Sequence, residues 1–386
     1  MAKINSWLGN DQTNSSLRGN ELNKFAGFCN SHETVYIFGA GKIGSAIRHY
    51  MEQSGLACAG FITSETIGEL RKKYCKGESG IIIGVCDKFI PEVQPLLSEF
   101  ISESDIFQLS SQCRELMGRQ LSVEYTRDNF WINIFVTNKC NMACKSCSTF
   151  SPVMPFCKSD TDYELSAFEK DMFSLQKLNL PVIKNFKFTG GETLLHPQIF
   201  EMFSIVHSLF PQNNIECYTN GILLIKMNDP QLKALKDLGV TLTITEYPLE
   251  RLDLARFYKT ADEMGINYQI IGKGHQKKFF KRSLNFNKNT PKHHFFECLR
   301  YAACNSLFMY NGKLWKCIYS FNSKLLNEAF STNFELVEGD YLDLYNTTPN
   351  EIYNFAISRI PFCGYCKPIT ELIPWSLSER KIEEWT

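Results

Sequence analysis

The chain has no excess of either charge: lysine plus arginine and aspartate plus glutamate number 41 each over 386 residues. That balance removes any general attraction to nucleic acid or to an anionic membrane surface, so a charged partner must be met locally. No run approaches the roughly 18 apolar residues of a spanning helix. The opening stretch, MAKINSWLGNDQTNSS, lacks the apolar core of a secretory signal. A cytoplasmic location is therefore expected, with no nucleic-acid or membrane partner. Internal repeats and low-complexity tracts are also missing, which sets aside repeat architectures.

Cysteine, by contrast, is plentiful. Fifteen cysteines in a reducing compartment are not a disulfide framework, and those that cluster point to metal ligation or redox chemistry. Cys29, Cys58, Cys75, Cys86, Cys113 and Cys217 are scattered and read as packing residues. With 44% apolar residues the chain can bury more than one core, and its length predicts two or three domains.

The pattern divides accordingly. A helix is expected around Leu22 to Cys29. TVYIFGAGKIGSAIRHYMEQSGLACAGFITS then gives a strand, a glycine turn, a helical pattern and a second strand, with further strands at GIIIGV (80–85) and DIFQL (105–109). This is half of a doubly wound α/β sheet, a Rossmann-like domain over 1–120, and 114–129 reads as a linker. From FWINIFV (130–136) strands and helices alternate through KNFKFTGG, NIECYTNG, VTLTITEYP and INYQIIG. Such alternation predicts an α/β parallel sheet or partial (β/α)6 barrel over 126–275, with sites at the carboxyl ends of its strands. A small cysteine-rich domain is expected over 290–386.

The first strand of the barrel segment runs into KCNMACKSCSTF, where Cys140, Cys144 and Cys147 put three soft thiolates on one loop. Both iron-sulfur clusters and zinc use such ligands. Ordinary zinc fits poorly, since no fourth ligand lies nearby unless Cys157 is recruited. Three cysteines on a four-iron cubane would leave one iron open.

The Cys-x3-Cys-x2-Cys arrangement after a first barrel strand resembles the radical S-adenosylmethionine (radical SAM) superfamily. Two further segments carry the resemblance. FKFTGGETLLHP (186–197) is similar to the superfamily's Gly-Gly-Glu motif, here Gly190, Gly191 and Glu192, and CYTNGILL (217–224) to its Thr-Asn-Gly strand end, here Thr219 and Asn220. The resemblance implies a 4Fe-4S cluster on Cys140, Cys144 and Cys147 that cleaves S-adenosyl-L-methionine (AdoMet) to a 5′-deoxyadenosyl radical. It also implies that the Glu192 carboxylate receives the AdoMet ammonium, with two glycines allowing close approach of backbone to ligand. The position before the third cysteine departs from the pattern: it is Ser146, where an aromatic residue or histidine often packs near the adenine. His196 reads as a helix-entry residue, and Cys157 as a spectator or a hydrogen-atom donor.

Downstream, Cys298, Cys304, Cys317, Cys363 and Cys366 form a second set, with an expected hairpin turn at Asn311 and Gly312. The set resembles the SPASM or twitch auxiliary-cluster domains of radical SAM enzymes. That implies a second 4Fe-4S cluster held by Cys317, Cys363, Cys366 and either Cys298 or Cys304, with structural zinc as the other reading.

In the N-terminal domain, Gly39, Gly41 and Gly44 sit between a strand and a helix, the context of a nucleotide-binding turn. The second strand lacks the expected acidic residue, for which Glu65 is a displaced candidate, so a nucleotide there is left open. The basic run 273–294 reads as a solvated loop or an anion-binding lid. Together these readings predict an oxidoreductase-type radical SAM enzyme that oxidises or epimerises a small molecule such as a sugar or nucleotide-linked sugar. It would be served by an electron donor such as flavodoxin or ferredoxin. Radical modification of a peptide or protein, and an NAD-dependent dehydrogenase with structural zinc, stand as alternatives.

Overall fold

The computed structural model describes residues 15–85, 89–111, 113–114, 117–118, 130–158, 162–180, 182–249, 253–271, 278–281, 283–288, 306–367 and 371–386. Cys86, Cys298 and Cys304, most of the expected linker and much of the basic run lie outside these residues. The chain forms two compact units, residues 1–125 and 126–386.

The first unit is a four-stranded parallel sheet in the order β2-β1-β3-β4, with β1 Thr34–Phe38, β2 Gly60–Ile62, β3 Ser79–Ile83 and β4 Ile106–Phe107. Its two faces are covered separately. Val35, Ile37 and Ile82 pack on one side with Leu22, Phe25, Ala46, Ile47, Tyr50 and Met51, while Phe38, Ile81 and Ile83 pack on the other with Leu70, Val93 and Leu97. Alternate residues of one strand feed opposite cores, which is why β3 reads as an unbroken apolar run with all five residues buried. Helix Ser15–Ser31 contains the expected helical stretch, and the alternation of strands and helices is the doubly wound pattern predicted.

The second unit contains an eight-stranded sheet. β5 Trp131–Phe135, β6 Asn185–Thr189, β7 Asn214–Thr219, β8 Val240–Thr245 and β9 Tyr268–Ile271 are parallel neighbours. Helices Leu165–Lys177, Ile199–Leu209, Asp229–Asp237 and Ala255–Met264 lie between them in sequence, and their buried faces meet the outward side chains of the strands in one core. This is the expected partial barrel. A sixth parallel strand, Ser306–Tyr310 (β11, after the short strand β10, Lys278–Lys281), joins the opposite edge beside β5.

Of the segment 290–386, residues 306–367 and 371–386 are described, and their first strand is this β11. β11 turns through Asn311 and Gly312 (φ 45° and 71°) into β12 Lys313–Trp315, which pairs with β13 Tyr341–Asp343, so the hairpin extends the barrel sheet. The Gly312 amide donates to Asp171 Oδ2 at 2.6 Å, and the hydroxyls of Tyr345 and Tyr163 also reach that carboxylate, tying the turn to helix Leu165–Lys177. A second core, with Phe135, Phe150, Trp315, Phe321, Phe362 and Trp385, binds the downstream segment to the barrel. Part of the basic run is likewise a strand: β10 pairs antiparallel with β14, Glu371–Pro374.

Candidate functional site

Four adjacent strands end on one cavity. β5 leads into the cysteine loop, β6 into Gly190–Glu192, β7 into Asn220, and β8 into Tyr247. Cys140, Cys144, Cys147, Gly190, Gly191, Glu192, Thr219, Asn220 and Tyr247 all line the same cavity of about 410 Å³. A cavity of a few hundred Å³ holds a small molecule. Its place at the carboxyl ends of parallel strands is where backbone groups freed from the ladder and the loops of successive units converge.

The loop is fixed from beneath. Asn138 is buried and donates both to the Thr149 carbonyl and to Asn322 Oδ1, each at 2.9 Å, so the two ends of the cysteine segment are drawn together. Gly190 and Gly191 serve this closure. A Cβ on Gly190 would stand 2.4 Å from the Thr137 carbonyl oxygen, and one on Gly191 2.3 Å from that of Lys139. Their lack of a side chain therefore admits the start of the cysteine loop. The Gly191 and Glu192 amides donate to those same carbonyls at 2.7 and 2.8 Å.

Glu192 is buried. Oε1 accepts from the Thr219 hydroxyl at 2.7 Å and the Leu194 amide at 3.2 Å, and Oε2 accepts from the Asn220 amide at 2.8 Å. Burial raises its carboxyl above the ordinary value, although the three hydrogen bonds oppose that rise. A carboxylate has about four acceptor positions, so one is left for a donor in the cavity. Asn220 also donates to Asn141 Oδ1 at 2.7 Å, and its Nδ2 lies 4.0 Å from Cys140 Sγ.

Burial pushes the Cys140 thiol up to about 12, only partly offset by the Met142 amide. A neutral thiol is expected there until a cation supplies the opposing charge. The Cys147 Sγ is 3.1 Å from the Thr149 hydroxyl. Among the described residues no three His, Cys, Asp or Glu side chains converge closely enough to hold a single metal ion. The three thiols instead line the cavity together, a soft donor set that fits a polynuclear iron-sulfur group bound across it.

Other expected residues lie apart from this cavity. Cys317 precedes helix Ile318–Phe330, and Cys363 and Cys366 belong to the turn after Ile360. All three pack against the second core. The Cys157 Sγ donates to the carbonyls of Val153 and Leu325, and His196 is buried against the Tyr163 carbonyl. In the first unit Gly39 and Gly41 form the turn into helix Lys42–Gln53, Gly44 lies in the first turn of that helix, and Glu65 is exposed beyond β2.

Sequence reasoning missed two contributors to the site. Tyr247 follows β8 in TEYP, and its hydroxyl bonds the Cys144 sulfur. The segment WSLSERKIEEW (375–385) lies along the cysteine loop, with the Trp375 indole nitrogen 3.2 Å from Cys144 Sγ and that of Trp385 2.9 Å from the Cys147 carbonyl. The only signal was a pair of tryptophans in an otherwise polar stretch.

Comparison with known proteins bears on the barrel. The GTP 3′,8-cyclase of Trichodesmium erythraeum is 31% identical over 108 residues, 27% of this chain and 31% of that protein. The GTP 3′,8-cyclase of Clostridium acetobutylicum is 31% identical over 121 residues, 31% of this chain and 36% of that protein. The chain thus spans about a third of the length of the curated relatives it matches. Among solved structures, BtrN in complex with AdoMet and 2-DOIA aligns with a TM-score of 0.41 at 16% identity, covering 66% of this chain and 97% of that one. The family model described as the radical SAM superfamily, whose members use a 4Fe-4S cluster and AdoMet, matches residues 134–259 of this chain.

Proposed function

We propose that the protein is a radical SAM enzyme acting on a small molecule, in which Cys140, Cys144 and Cys147 hold a 4Fe-4S cluster and Gly190–Glu192, Thr219 and Asn220 hold AdoMet. The observation that carries this reading is the single cavity lined by all three motifs at four successive strand ends. When bound, the cluster and AdoMet supply a 5′-deoxyadenosyl radical, which takes a hydrogen atom from the substrate. The chain's own part is orientation and exclusion of water. Glu192, already fixed by three donors, has one acceptor position for the AdoMet ammonium, and Asn220, fixed by the bond to Asn141, stands beside Cys140.

Oxidation or epimerisation of a sugar or nucleotide-linked sugar is the substrate class we favour. The curated relatives are named for a nucleotide, GTP, which supports a small molecule over a peptide. A second cluster on Cys317, Cys363, Cys366 and either Cys298 or Cys304 would take up the electron left on an oxidised substrate. The first electron would come from a donor such as flavodoxin or ferredoxin.

Iron and sulfide content after anaerobic reconstitution tests the reading. Two cubanes give about eight irons per chain, falling to about four when Cys140, Cys144 and Cys147 are all changed to alanine. The wild type, but not that variant, should form 5′-deoxyadenosine from AdoMet under reduction. Stoichiometric zinc with iron near zero would sink the proposal.

A further inference from the structure

The last strand continues into a strap laid over the cysteine loop. The Lys145 amide donates to the Ser376 carbonyl at 2.9 Å and the Ser378 amide to the Ala143 carbonyl at 2.8 Å, so Cys144 and Leu377 face each other in an antiparallel bridge. The strap is held at both ends. β14 pairs with β10, and Trp385 is fully buried with its ring against Phe150 and Phe330. Between them, Ser146 donates its hydroxyl to the Glu384 carbonyl at 2.8 Å.

This strap carries one side chain directly to a thiol. Trp375 Nε1 stands 3.2 Å from Cys144 Sγ, and its ring lies 5.8 Å from that of Tyr247, whose hydroxyl reaches the same sulfur. An indole N–H can only donate, so it cannot compete as a ligand, and its flat apolar body keeps water from that side. Donors to a ligand sulfur favour the more negative state of an iron-sulfur cluster and so raise its reduction potential.

We propose that Trp375 is a positioning residue for the cluster on Cys140, Cys144 and Cys147. Its indole N–H, fixed by the strap, bonds the Cys144 sulfur and makes the cluster easier to reduce. This rests on the cluster assignment made above, and the experiment separates the two.

The chain is reconstituted anaerobically as wild type, Trp375→Phe and Tyr247→Phe. The EPR signal that responds to AdoMet is then followed through a redox titration. Trp375→Phe should retain the wild-type iron and sulfide content and show a more negative midpoint, and Tyr247→Phe should shift in the same direction. A Trp375→Phe midpoint equal to wild type at equal iron content overturns the proposal. A second measurement needs no variant: wild-type chain labelled with 15N-tryptophan should show a 15N coupling in the pulsed EPR of the same signal, and its absence also overturns the proposal. Iron missing from the wild type would overturn the cluster assignment itself, and this inference with it.

Discussion

At the scale of single residues, the site rests on atoms that hold one another before any ligand arrives. Glu192 is the clearest case, because its carboxylate joins the ends of β6 and β7 through Thr219 and Asn220. Glu192→Gln turns an acceptor into a donor against at least one of those partners, leaving a buried group unpaired at about 1–3 kcal/mol. A lower urea midpoint and weaker AdoMet binding are the expected outcomes, read by chemical unfolding and by equilibrium dialysis of the reconstituted protein. Gly191→Ala sets a methyl group 2.3 Å from a backbone oxygen of the cysteine loop, so the loop must move, and iron content after reconstitution should drop. The sequence made Glu192 and both glycines visible as a motif, but not the backbone of the cysteine loop that packs against those glycines. The close approach of residues 137–139 is a product of two neighbouring strand ends, and no local pattern encodes it.

At the scale of elements, two features are exposed to direct test. The strap hangs on Trp385, whose side chain is fully buried and whose indole donates to the Cys147 carbonyl. Trp385→Ala should cost about 3–5 kcal/mol and release the loop. Unfolding by urea gives the cost, and faster loss of iron to a chelator reports the release. In the first unit, the turn before β4 places Asp105 among donors. Burial would raise its carboxyl, but hydrogen bonds from Tyr74, Gly77, Ser104 and His32 outweigh it and hold the group at about 2, against an ordinary 3.8. A carboxyl depressed in the folded state adds stability that is complete above its unfolded value and is lost as pH falls through the folded one. Stability of this unit should therefore decline between pH 3.8 and about 2, and a urea series across that window should find Asp105→Asn flat. Strand and helix periodicity made most elements of both units legible. It did not reveal that β11 would cross to the far edge of the barrel, since pairing partners distant in sequence leave no mark on local alternation.

For the molecule as a whole, the two units invite separate perturbation. A Cβ added at Gly41 meets nothing within 4 Å, whereas one at Gly44 would fall 1.9 Å from the Gly39 carbonyl oxygen. Gly41→Val should thus cost no more than about 1 kcal/mol, the scale of a lost cap preference, and leave 5′-deoxyadenosine formation by the barrel unchanged. A dinucleotide-dependent dehydrogenase would instead lose its turnover, so assaying both activities in this variant decides which unit carries the chemistry. Among the described residues no helix is long and apolar enough to cross a membrane.

The strap also sets an order of events. Trp375 meets Cys144 across 231 positions of sequence. During synthesis the three thiols therefore leave the ribosome long before the segment that closes over them has been made. A nascent chain presents this loop uncovered through most of the translation of the second unit, and contacts of such long range form late in folding. If Cys140, Cys144 and Cys147 hold the cluster as proposed, iron has its widest access in that interval.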